Sequence, residues 1–182
     1  MAKLNMSSNL LNHICYVALG ANLPYDTQTQ PVQTLGRVIN NLNNGPLRLT
    51  ACSEWYESPL WPGGERGEQP VYVNGVLRAS TGLTATEVLE YLHSVEREFG
   101  RDRALEGRNG ARPLDLDLIS FNDEVWTGDL VVPHPRMHLR RFVLQPLADI
   151  APDWMHPVLG KDVNQLILEL PETEPLLMPV AQ

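Results

Sequence analysis

The run Leu47-Arg48-Leu49-Thr50-Ala51-Cys52-Ser53-Glu54-Trp55-Tyr56 and the later run Val71-Tyr72-Val73-Asn74-Gly75-Val76-Leu77-Arg78-Ala79 decide the fold between them. Both carry the β-branched and aromatic residues that suit a strand. The interval Glu57–Pro70 is too rich in glycine and proline to be regular, and its length is that of a binding or lid loop. Two strands therefore follow one another with no helix between them. A parallel, doubly wound sheet needs a crossover at that point, so this order disfavours it.

Outward from this pair, the pattern repeats on both sides. His13-Ile14-Cys15-Tyr16-Val17-Ala18-Leu19 is nearly all apolar and stops at Gly20, as a central strand buried on both faces should. A helix follows from about Thr29, with Val32, Leu35, Ile39 and Leu42 on one stripe, and Asn43-Asn44-Gly45-Pro46 ends it. On the other side, Thr84 and Glu87 form a capping box for a helix whose stripe is Val88, Leu92, Val95 and Phe99. Gly100 closes that helix. An arginine-rich loop then leads to a strand at Leu114–Phe121 and a shorter helical region. The order βαββαβ predicts an α+β sandwich of ferredoxin-like topology, with helices on one face of a mostly antiparallel sheet. One domain is expected over 13–170, with flexible tails at 1–12 and 171–182.

The chain has 182 residues and 20.4 kDa, with 43% hydrophobic and 20% charged residues, which suits one globular domain. Its net charge of −8 and pI near 5.0 argue against a generic nucleic-acid binder. No run of about 18 apolar residues is present, so no transmembrane helix is expected, and no secretory signal is visible. Cys15 and Cys52 lie in apolar strand-like segments and read as buried free thiols of a reducing compartment. A cytoplasmic monomer is expected, acting on small molecules without nucleic-acid or membrane partners.

The chemistry concentrates in Arg112-Pro113-Leu114-Asp115-Leu116-Asp117-Leu118-Ile119. On a strand, the three leucines face the core while Asp115 and Asp117 share the other face, with α-carbons roughly 6.5 Å apart. Two carboxylates that close repel unless a cation lies between them, and Mg²⁺ suits such hard oxygen donors. An isolated pair of this kind is also readable as a solvated strand face. The arginines bear on that choice. Eight of the fourteen basic residues fall between Arg97 and Arg141, and only two lysines occur in the chain. A guanidinium fork matches phosphate oxygens, so a loop carrying Arg101, Arg103 and Arg108 can close over a polyphosphate; a merely solvated loop is the other reading. His134 stands between two prolines on a stiff segment, placed either to donate to a phosphate oxygen or to pack structurally. Tyr72 and Asn74 share one strand face, as a cradle for a flat heterocycle or as ordinary surface residues. No Walker-type phosphate loop is present.

Several segments together resemble one family, the 6-hydroxymethyl-7,8-dihydropterin pyrophosphokinases of folate biosynthesis. They are Tyr16 to Leu23, Tyr56-Glu57-Ser58-Pro59, Gln69 to Asn74, Gly110 to Ile119, Val132 to Met137 and Arg140 to Leu144. The likeness runs in order from about residue 13 to 160. It implies transfer of the β,γ-pyrophosphoryl group of ATP to the pterin, giving AMP. It implies two Mg²⁺ ions on Asp115 and Asp117, with ATP as co-substrate. Arg101 and Arg103 would lie on a mobile catalytic loop, and Arg112 and His134 would contact the phosphates. His93, Glu96, Ile119 and Arg140 would also lie by the nucleotide, Arg140 at the boundary of the two substrates. Ser58, Pro59, Tyr72, Asn74 and Phe142 would line the pterin pocket, with Phe142 stacking on the ring. This chain departs from the family pattern in three places. The loop from Gly100 to Arg112 is one residue longer than in a familiar bacterial member, Asn109 stands where some members have tryptophan, and His93 stands where glutamine can occur. The alternatives are a diverged non-catalytic pterin or nucleotide binder, and an RNA-binding module of the same strand order.

Overall fold

The computed structural model describes residues 13–25, 29–59, 70–101 and 112–180. The apolar run near the start forms β1 (His13–Ala21), held antiparallel between β4 (Tyr72–Thr81) and β5 (Asp115–Phe121). Its alternate side chains serve two cores. Cys15, Val17 and Leu19 point into one, and Tyr16 and Ala18 pack against the other.

The run from Leu47 to Tyr56 makes two short strands rather than one. These are β2 (Arg48–Cys52) and β3 (Tyr56–Ser58), both antiparallel to β4. Ser53 breaks the run: its Oγ accepts the Val76 N–H at 2.9 Å, while its own N–H donates to the Val76 carbonyl at 3.0 Å. Trp55 then folds over Gly75, where an added Cβ would stand 2.6 Å from the indole. Glycine is what lets the ring lie there.

The sheet order is β5-β1-β4-β3-β6, with β2 also on β4, and every pairing is antiparallel. The ferredoxin-like expectation holds. β6 (Met178–Pro179) was not foreseen, since 171–182 reads as a loose tail. Residues 171–180 instead run back along the molecule: β6 pairs with β3, the Val180 N–H donates to the Trp55 carbonyl at 2.9 Å, and Glu174 Oε1 accepts the Arg141 N–H at 3.1 Å. The open edge of β3 offers unpaired backbone groups, and this segment takes them.

Helices cover both faces of the sheet, not one. α1 (Pro31–Asn44) and α2 (Ala85–Glu98) pack on the side of Cys15, Val17, Leu116 and Leu118. Thr84 caps α2 as read, accepting the Glu87 N–H, while Glu87 accepts the Thr84 N–H at 2.8 Å. The opposite side presents Val76 and Ile119, which α3 (Arg141–Ile150) and α4 (Val163–Leu168) bury with Val143, Leu144, Leu147 and Leu166. Apolar residues on both faces of the central strands leave no other solution. Cys15 is buried, and burial pushes its thiol up to about 12. Cys52 is exposed, contrary to expectation, because β2 alternates half-buried and exposed positions beside a single neighbour.

Candidate active site

A cavity of about 210 Å³ opens on the face that α3 and α4 share, beside the start of α3. Its floor is the end of β1. Gly20 stands opposite Asp115 on β5 and opposite Asn74 on β4. A Cβ at residue 20 would lie 3.3 Å from Asn74 Oδ1 and 3.9 Å from Asp115 Cβ, so the absent side chain is what leaves room between the two walls.

One wall is charged. Asp115 and Asp117 lie on the same face of β5, with side chains 32% and 35% exposed, while Leu114, Leu116 and Leu118 are buried on the other. The period-two reading of this strand holds residue by residue. Arg101 pairs with both Asp115 and Glu96, and Arg112 pairs with Asp115 at 3.0 Å. Arg140 reaches Asp117 at 3.5 Å, and His134 Nε2 lies 3.8 Å from the same oxygen. With Arg136, four arginines line the cavity against two carboxylates, an excess of positive charge that suits a polyanion. Burial opposes the charge on Asp115, but the Arg112 and Arg101 guanidiniums outweigh it and hold the carboxyl below its usual range. Asp117 moves the other way, pushed up to about 6 by burial and then by the charge of Asp115. His134 is driven down to about 4 by burial and by Arg140 and Arg136, so its imidazole is neutral near pH 7. Its Nδ1 accepts the Arg136 N–H at 3.2 Å, which places the proton on Nε2, facing the cavity.

The opposite wall is neutral. Asn74 Nδ2 donates to Ser58 Oγ at 2.9 Å, which leaves its Oδ1 over the floor at Gly20. Ser58, Pro59 and Tyr72 line this side, and Phe142 faces them from the first turn of α3. The Arg140 guanidinium sits 5.4 Å from the centre of the Phe142 ring, linking the two walls. Tyr56 Oη donates to Asp149 Oδ2 at 3.0 Å, tying β3 to the far end of α3.

The structure brings together Arg101, Arg112, Asp115, Asp117, His134, Arg140, Ser58, Pro59, Tyr72, Asn74 and Phe142 around this cavity. Three other expected residues stand elsewhere. Glu96 is 1% exposed, accepts the Leu116 N–H at 2.8 Å and lies beneath Arg101. The Ile119 side chain is in the α3–α4 core, while its carbonyl accepts the His134 N–H at 2.9 Å. His93 lies on α2, three residues before Glu96, away from the cavity lining. Arg103, Arg108, Asn109 and most of the two long loops fall outside the described residues. Arg136 was missed, although it directly follows the Pro-His-Pro run that signalled His134.

Among the described residues, no group of three or more His, Cys, Asp or Glu side chains is placed to hold a metal ion. The aspartate pair nevertheless fits Mg²⁺, which takes one or two carboxylates and completes its shell with water and phosphate. No helix among the described residues is long and apolar enough to cross a membrane.

An antiparallel α+β sandwich whose cavity sets two acids and four arginines on one wall against an amide and an aromatic ring on the other suits a phosphorylated ligand held beside a flat one. The chain belongs to the 7,8-dihydro-6-hydroxymethylpterin-pyrophosphokinase family, whose model matches residues 16–152. It is 40% identical over 164 residues to the 2-amino-4-hydroxy-6-hydroxymethyldihydropteridine pyrophosphokinase of Synechocystis sp., covering 85% of this chain and 75% of that one. The enzyme of the same name from Pseudomonas aeruginosa is 39% identical over 159 residues, with 86% and 91% covered. Among solved structures, a Plasmodium falciparum HPPK-DHPS with pteroate aligns with TM-score 0.64 at 13% identity, a likeness of fold. The alignment covers 86% of this chain but only 42% of that one.

Proposed function

We propose that this chain transfers the β,γ-pyrophosphoryl group of ATP to 6-hydroxymethyl-7,8-dihydropterin, releasing AMP, in folate biosynthesis. The observation that carries this reading is the shared cavity: Asp115 and Asp117 beneath four arginines on one wall, with Asn74, Ser58 and Phe142 on the other. The family assignment favours neither the non-catalytic binder nor the RNA-binding module.

Asp115 and Asp117 would hold two Mg²⁺ ions, which would neutralise the triphosphate and polarise its oxygens. Arg112, Arg136, Arg140 and the Nε2–H of His134 grip the phosphates by charge-assisted hydrogen bonds. Arg101 and Arg103 stabilise charge that develops during transfer. Glu96 serves the nucleotide through Arg101, and Ile119 through the carbonyl that orients His134; the role of His93 rests on the family likeness alone. Asn74 Oδ1 accepts from the pterin edge while Ser58, Pro59 and Tyr72 shape its slot and Phe142 stacks on the ring. The walls converge over Gly20, so the pterin hydroxyl and the β-phosphorus meet there. The alcohol oxygen bonds to the β-phosphorus and gives up its proton to water, the bond from that phosphorus to the oxygen bridging it to the α-phosphorus breaks, and AMP leaves with that oxygen. Such a step needs alignment and charge neutralisation more than covalent help. Residues 13–170 carry the whole of this machinery, and the chain works as a cytoplasmic monomer.

The test is to incubate the protein with ATP, Mg²⁺ and hydroxymethyldihydropterin and measure AMP. One AMP per pterin diphosphate is expected. Nucleotide binding without AMP would establish the non-catalytic binder instead.

A further inference from the structure

β1 ends at Ala21, and the next residue continues its pairing with a side chain. Gly20 separates the pterin wall on β4 from the acidic wall on β5. One step beyond the strand, Asn22 is 1% exposed and reaches both sides. Its Oδ1 accepts the Arg112 N–H at 2.8 Å, and its own N–H donates to the Arg112 carbonyl at 3.2 Å. Its Nδ2 donates to the Pro70 carbonyl at 3.3 Å. The amide has one orientation that satisfies both partners, because only Oδ1 accepts an N–H and only Nδ2 donates to a carbonyl. Arg112 lies three residues before Asp115 and pairs with it. Pro70 lies two residues before Tyr72 and four before Asn74.

We propose that Asn22 is a positioning residue that sets the distance between the phosphate side and the pterin side of the cavity. The proposal rests on the function argued above. A single buried amide holds Arg112 with its acceptor and Pro70 with its donor, so displacement of either wall is resisted through the other. Small errors in such alignment carry large penalties in rate.

Two variants separate the two ties. Asn22→Asp keeps an acceptor for the Arg112 N–H but turns a second acceptor on the Pro70 carbonyl; Asn22→Leu removes both side-chain bonds and leaves the backbone N–H groups of residues 22 and 23 on the Arg112 carbonyl. In Asn22→Asp, affinity for a non-hydrolysable ATP analogue should stay within about twofold of wild type. Pterin affinity should fall about tenfold, the effect of one unsatisfied buried group, and kcat about a hundredfold. Amide exchange without ligands should quicken at Tyr72 and Val73, where β4 begins its pairing with β1 and β3, and stay slow at Arg112 in Asn22→Asp, and quicken at both ends in Asn22→Leu. If Asn22→Leu does not fold, Asn22→Asp alone decides. Wild-type constants in Asn22→Asp, or equal weakening of both ligands in proportion to a lowered Tm, overturn the proposal. Wild-type protein that makes no AMP overturns the functional reading instead, while the exchange pattern still decides whether Asn22 holds the two segments.

Discussion

The two faces of the sheet are made by the same strands and do opposite work. On the α1–α2 face, β1 and β5 contribute Cys15, Val17, Leu19, Leu116 and Leu118, all in a closed apolar core. On the α3–α4 face the same strands contribute Tyr16, Ala18, Gly20, Asp115, Asp117 and Ile119, and the cavity opens there. Ile119 is in the core while Asp115 and Asp117, on the same face, are about one-third exposed. A change of one position on β5 thus moves a substitution from chemistry to stability, and of two positions from open cavity to closed core.

This contrast can be broken by substitution. Asp115→Ala or Asp117→Ala should lower kcat/KM about a thousandfold or more while leaving the circular dichroism unchanged, and near-wild-type turnover in either would remove the metal assignment. Arg112→Ala should cost about a hundredfold in kcat, read in steady-state assays at saturating substrates. Leu116→Ala, between the two acids, should do the reverse: about 2–5 kcal/mol less stable in urea melts, with kcat per folded molecule close to wild type. A Leu116→Ala protein of full stability but lost activity would contradict the division of faces.

Protonation sharpens the same comparison within the charged wall. Asp117 is pushed up to about 6, above the ordinary carboxylate value near 4. The folded chain therefore binds this proton more tightly than the unfolded chain. Its ionisation weighs against folding as pH rises through 6, and that burden lifts as pH falls toward 4. In metal-free protein, Asp117→Asn should melt higher than wild type at pH 7.5, and the gap should close by about pH 4; a gap independent of pH would refute this. The smallest effect concerns the thiols. Native protein should react with a thiol reagent at exposed Cys52 and not at buried Cys15, which should react only on unfolding.

Local pattern made much of this legible. The alternation from Leu114 to Leu118 and the Thr84 cap each act over a few residues, and each appears in the structure as read. What the sequence concealed depends on distant partners. Glu96 reads from the helix pattern as a polar position, and its burial rests on distant partners such as the Leu116 amide and Arg101. The break at Ser53 is made by Val76, and β6 by the open edge of β3. The second helical layer follows from Val76, aligned opposite Ala18 of β1, and from Ile119, which the β1–β5 register skips between Leu118 and Ser120. The candidate site was legible in its acids, its arginines and the residues of its neutral wall, which line one cavity; Arg136 and the indirect placements of Glu96 and Ile119 were not.

Gly20 has a consequence for inhibition. A compound pressed onto that floor meets main chain, which mutation does not easily alter in shape. Escape by acquiring a side chain at this position would drive the new atoms toward Asn74 and Asp115 together. Resistance there would have to be purchased with the space the natural substrates occupy.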